Sequence, residues 1–124
     1  ISFNNVFRRG MIQILWEDEV IKTVVKEGYQ IVGIYIKATN QQYSKILYSN
    51  IANLMLNNNN KIYTKILTEF SAQKISEICN INEINAVLSL ELDGDNLFVQ
   101  LFGMKGHTLY ITPTPITLAP IQPN

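Results

Sequence analysis

Apolar positions along this chain change their spacing, and each change marks a different expected element. Ile12, Ile14 and Trp16 alternate with Gln13, Leu15 and Glu17. That is the period-2 signature of a strand with one strongly apolar face. An acidic break follows (Glu17, Asp18, Glu19), then Val20, Ile21, Val24 and Val25, and a turn at Glu27-Gly28. Tyr29 to Ala38 is nearly all β-branched or aromatic. Apolar residues on both of its faces predict a strand covered on both sides, or one inside a small closed barrel. Gly33 interrupts this run, as at a bulge or the sharp coil of a barrel strand.

Beyond the polar loop Thr39 to Gln42, the segment Tyr43 to Leu56 admits two readings. Ser44 to Tyr48 alternates weakly, whereas Leu47 and Leu54, or Ile46 and Asn50, could share a helical face. Asn57 to Asn60 is too polar to pack and is the best internal boundary. From Ile62 the period lengthens: Ile62, Ile66, Leu67 and Phe70 form a helical stripe. Ser71 is placed to cap a second helix carrying Ile75, Ile78 and Cys79. Asn80 and Glu83 have capping-box spacing. Ile84, Val87, Leu88 and Leu92 continue the stripe to a turn at Asp93-Gly94-Asp95. Gly106 to Thr112 reads as a turn and strand. The tail carries Pro113, Pro115, Pro120 and Pro123, which forbid a helix. The expected class is α+β: an antiparallel β region over about 10–50, short helices over about 62–92, and an extended C-terminal part. The regions are 1–56, the loop 57–61, the helical part 62–112 and the tail 113–124.

At 124 residues and 47% hydrophobic, the chain is one domain or a piece of a larger one, and its start at Ile1 suggests processing or a fragment. Ten Lys plus Arg balance ten Asp plus Glu, so any nucleic-acid surface must be a local patch. The candidate cations are Arg8, Arg9, Lys22, Lys26, Lys37 and Lys45, each of which is otherwise an ordinary solvated charge. The single Cys79 cannot form an internal disulfide. No apolar run reaches the roughly 18 residues of a membrane span, so no membrane partner is expected.

Catalytic signatures are absent. No glycine-rich loop ends in Gly-Lys-Ser or Gly-Lys-Thr, so backbone amides and a lysine are not arranged to cradle phosphates. His107 has no second His or Cys nearby with which to hold a metal. Trp16 is either a base-stacking platform or core, and a Trp on an apolar face is more often core. Asp93 and Asp95 could pair as carboxylates, but such a turn is usually only a turn. Two short helices followed by Asn96 to Thr112 also fit a winged helix-turn-helix. That reading would put Asn82, Asn85 and Glu91, and no cation, on the recognition helix, which leaves little phosphate affinity.

A family resemblance links these segments. Ile12 to Ile21, the turn Lys26-Glu27-Gly28-Tyr29 and the run Gln30-Ile31-Val32-Gly33-Ile34-Tyr35 resemble the oligonucleotide-binding (OB) barrel of the minichromosome maintenance (MCM) family of replicative DNA helicases, with its Gly-Ile-Tyr triplet intact. Tyr43 to Ile51 is similar to the family's closing barrel strand, which favours strand over helix there. Glu69-Phe70-Ser71, Ile75 to Ile78 and Ile81 to Leu88 are similar to the linker that leads to the motor. Leu92 to Asn96 stands where the family has a turn against the adenine of ATP, so Asp93, Gly94 and Asp95 inherit a nucleotide-proximal role by resemblance only. Asp95 replaces the family's histidine and Met104 its second glycine.

The resemblance implies the DNA-binding portion of a replicative or repair helicase subunit. It would hold single- or double-stranded DNA in a homo- or hetero-oligomeric ring, in the nucleus, or in the cytoplasm if the protein is prokaryotic or viral. ATP and Mg are implied only for a full-length protein; none is expected on this chain. The alternatives are a free-standing winged-helix or OB adaptor for nucleic acid or a protein partner, and a non-catalytic assembly subunit.

Overall fold

The computed structural model describes residues 16–59, 61–94, 96–112 and the backbone of 116–117. The α+β class holds: helices pack on a mixed sheet. Where helix and strand fall within the chain differs from the sequence expectation.

Helix α1 (Trp16–Glu27) replaces the expected end of a strand. Trp16, Val20 and Val24 recur every four residues and are all buried, so one helical stripe faces the core. Glu17, Asp18 and Glu19 in the first turn and Lys26 in the last complement the helix dipole. Gly28 ends the helix at φ +76°. Its N–H donates to Val25 O (3.0 Å), and that of Tyr29 to Val24 O (3.1 Å), which closes a Schellman motif.

Strand β1 (Ile31–Ala38) falls where the β-branched run predicts it. It does not enter a barrel. Helix α2 (Gln41–Leu56) follows, and the strand expected over Tyr43 to Ile51 is absent. The Asn40 side chain caps α2 by accepting from the backbone N–H groups of Gln42 and Tyr43. Leu47, Ile51 and Met55 then recur at fours and are buried. The Asn-rich loop leads to β2 (Tyr63–Ile66), then to a 3₁₀ turn (Ala72–Lys74) and helix α3 (Ile75–Asn82). Strands β3 (Ala86–Asp93), β4 (Asn96–Gly103), β5 (Thr108–Ile111) and β6 (Ile116–Thr117) follow among the described residues.

The sheet order is β2-β1-β3-β4-β5, with β6 also on β4. β1 pairs parallel with both β2 and β3, while β3-β4, β4-β5 and β4-β6 are antiparallel. Residues 16–56 are therefore helix–strand–helix around an open sheet, not an antiparallel barrel. α1 and α2 cover the face carrying Val32, Ile34, Leu88, Leu90, Val99 and Leu101. α3 covers Val87 and Phe102 on the other face through Ile75 and Cys79, with Leu67 and Ile84 beside them.

Local expectations around α3 also change. Ile62 belongs to the first core and Leu67 to the second, while Ile66 is exposed, so the residues from 62 to 70 share no helical face. Ser71 makes no capping bond; its hydroxyl donates to Gln73 Oε1. Asn80 lies inside α3, and Glu83 ends that helix at φ +56° instead of closing a capping box. The winged-helix arrangement fails because Ala86 to Asp93, its second half-helix, is a strand paired on both sides. Gly33 is no bulge: its register with Val87 is continuous. A Cβ there would overlap Ile84 Cδ1 and lie 2.8 Å from Leu67 Cδ1, so the glycine admits the second core against β1.

Candidate functional site at the β2 edge

Among the described residues β2 is an edge strand, with β1 on one side only. Tyr63 N–H donates to Gln30 O, and Leu67 N–H to Ile34 O. Strand backbone groups alternate in direction, so Lys65 also faces β1, and Thr64 and Ile66 turn their N–H and C=O outward. The edge carries large apolar side chains. Tyr63 is 55% exposed and Ile66 65%, on opposite faces, and Ile81 at the end of α3 is 72% exposed. Packing holds the strand in place. Tyr48 Oη and Thr64 Oγ1 lie 3.0 Å apart, and Lys65 Nζ donates to Asn82 O at 2.7 Å.

Two clefts meet at Ile66 and Leu67, which line both. One, of about 340 Å³, lies on the α2 side between Ile34, Ile36, Tyr48, Ser44 and Lys45. The second, of about 680 Å³, lies on the α3 side between Tyr35, Phe70, Ile78 and Ile81, with Glu69, Lys74 and Glu77 around it. Its aromatic wall is fixed: Tyr35 and Phe70 stack at 5.4 Å and 19°, and Phe70 meets Phe102 at 5.7 Å. Apolar floors with a few polar groups at the rim suit side chains presented by a ligand.

The cations expected to contact DNA do not converge. Arg8 and Arg9 lie outside the described residues. Lys22 and Lys26 are on α1, with Lys22 in a groove alongside Asp18 and Asn57. Lys37 is on the opposite sheet face, in register with Glu91, whose carboxylate is 3.6 Å from its ammonium. Lys45 is the member of this group that lines a cleft at the edge. Of the residues expected by resemblance to lie near a nucleotide, Asp93 pairs with Asn96 and Gly94 turns at φ +61°, while Asp95 lies outside the described residues. The N-terminus of α2 stands at the carboxyl end of β1, where an anion would be held in a doubly wound sheet. Asn40 Oδ1 already accepts from two of the N–H groups there, those of Gln42 and Tyr43.

Other reactive groups are also committed to structure. Burial pushes the Cys79 thiol above its ordinary pKa, which opposes thiolate formation. His107 packs over Gly103 beside the Tyr29 hydroxyl. Burial raises the Tyr29 pKa, with Glu27 adding to the effect and a bond to the Met104 backbone opposing it. Among the described residues no group of three His, Cys, Asp or Glu could hold a metal ion. Asn85, which the winged-helix reading put on a recognition helix, instead joins β1 to β3: its Oδ1 accepts from the N–H of Gln30 (3.0 Å) and Ile31 (3.1 Å).

The edge residues Tyr63, Thr64 and Ile66 are not among the sites expected from sequence. Their one local signal is the aromatic and β-branched content of Tyr63, Thr64 and Ile66, which does not alternate and is obscured by the helical spacing of Ile62 and Ile66. No protein-family model matches the chain, and no curated protein matches it.

Proposed function

We propose that this chain is a non-catalytic protein-interaction module, an adaptor or assembly subunit that engages its partner along the β2 edge. The observation that carries this reading is the edge itself: among the described residues β2 is paired on one side only, by β1, with Tyr63 and Ile66 exposed and two apolar clefts beside it. Exposed large apolar side chains that cluster around unpaired strand groups favour association. A nucleic-acid role has less support. Phosphate affinity needs several converging cations, whereas Lys65 is bonded to Asn82 O and Glu69 and Glu77 border the second cleft.

Quantitative affinity capture from the source cells tests the reading, with nuclease treatment and a matched Ile66→Asp variant. The expected result is nuclease-resistant proteins lost with Ile66→Asp and retained with Lys22→Glu on α1. Identical captures by wild type and Ile66→Asp, or partners released by nuclease, would overturn it.

A further inference from the structure

Resting on that reading, we infer that the partner is bound as an extended strand added to β2, with a glutamate or aspartate and a large apolar residue adjacent in its sequence. Three observations converge on this. The outward N–H and C=O groups of Thr64 and Ile66 offer a partner backbone two hydrogen-bonding residues. The clefts lie on opposite faces of the sheet at Ile66 and Leu67. Successive side chains of an added strand point to opposite faces, so neighbours opposite Ile66 and Leu67 enter different clefts.

The chemistry of the two clefts differs. On the α2 side Lys45 stands at the rim, and no described carboxylate is within ion-pair distance of it. An acidic side chain there lays its stem on Ile36 and Ile66 and brings its carboxylate to Lys45. On the α3 side the wall is Tyr35, Phe70, Ile78 and Ile81, which fits leucine, phenylalanine or tyrosine. A second copy of this chain fits less well. In the antiparallel register that uses the outward groups of both Thr64 and Ile66, Lys65 of one copy would face Lys65 of the other, and like charges directly opposite destabilise a pair.

The test is selection of a displayed library of random peptides, each about ten residues long, against the intact chain. An enriched peptide is then synthesised. Two further versions carry N-methyl groups on one or the other alternate set of amides. The expected peptides carry an acidic–apolar pair within a β-branched run. One methylated version should bind about thirtyfold more weakly, because it loses two backbone bonds, and the other should bind unchanged. Lys45→Glu should turn the acidic preference toward lysine. Equal binding by both methylated versions, or no enrichment at all, overturns the strand-addition inference. In either case edge-dependent capture from cells would leave the adaptor reading standing, and its loss would remove both.

Discussion

Replacing Gly33 by alanine adds one methyl group at the point where β1 meets the second core. The new Cβ would overlap Ile84 Cδ1 and sit 2.8 Å from Leu67 Cδ1. Both neighbours are buried, at 2% and 6% exposure, so neither can swing into solvent. Overpacking of this kind costs about 1–3 kcal/mol. The restricted unfolded chain of the alanine variant returns about 0.4–1 kcal/mol. The net loss is about 1.3 kcal/mol at the midpoints and at most about 2.6 kcal/mol, and at roughly 3–6 °C per kcal/mol for a chain of this length the midpoint value lowers the Tm by about 4–8 °C. Urea unfolding followed by circular dichroism measures it, with an unchanged slope expected because the exposed surface is the same. Ile84→Val removes the very atom in conflict. Gly33→Ala should therefore cost at least about 0.5 kcal/mol less in that background. Additive effects in the double variant, or a more stable Gly33→Ala protein, would refute the packing argument. Leu67 also lines both clefts, so peptide affinity should fall alongside stability.

Other consequences follow from single contacts. Asn85→Ala frees the N–H groups of Gln30 and Ile31 and should cost about 1–2 kcal/mol in the same unfolding assay. Glu83→Gly relieves a left-handed residue at φ +56° and should stabilise by about 0.5–1 kcal/mol, read as a higher urea midpoint. Tyr29 and Tyr110 are both raised above 10.0, Tyr29 by burial and Glu27, Tyr110 by burial and then Glu19 and Glu17. Cys79 is raised above 9.0 by burial. The unfolded chain gives up these protons first, so the stability these three groups contribute should be fully present below about pH 8 and be lost as pH rises through 9 and 10. Urea midpoints across that range check the sign.

Much of the architecture was legible locally, and the misreadings have physical causes. The β-branched run of β1, the turn at Gly28 and the β5 strand each carry their own signal. α2 is dense in Tyr and Ile, residues with strand propensity, and its Asn40 cap and 47/51/55 stripe outweigh that only when the sheet supplies a partner surface. In α1 the 16/20/24 stripe overlapped the alternation that ends at Trp16. β3 is buried on both faces except at Glu91 and Asp93, which erases the alternation and leaves a pattern compatible with a helix. The edge could not be found by local reading at all. Whether a strand has one neighbour or two depends on chain topology, and Thr64 faces outward only because β3 takes the other side of β1.

Residue-resolved amide hydrogen exchange across β2 tests the open-edge account most directly. In the free chain Thr64 and Ile66 should exchange rapidly while Lys65 between them is protected by β1, and a bound partner strand should slow Thr64 and Ile66 selectively. Protection of Thr64 and Ile66 in the free chain, or no change in either once a partner is bound, would contradict it.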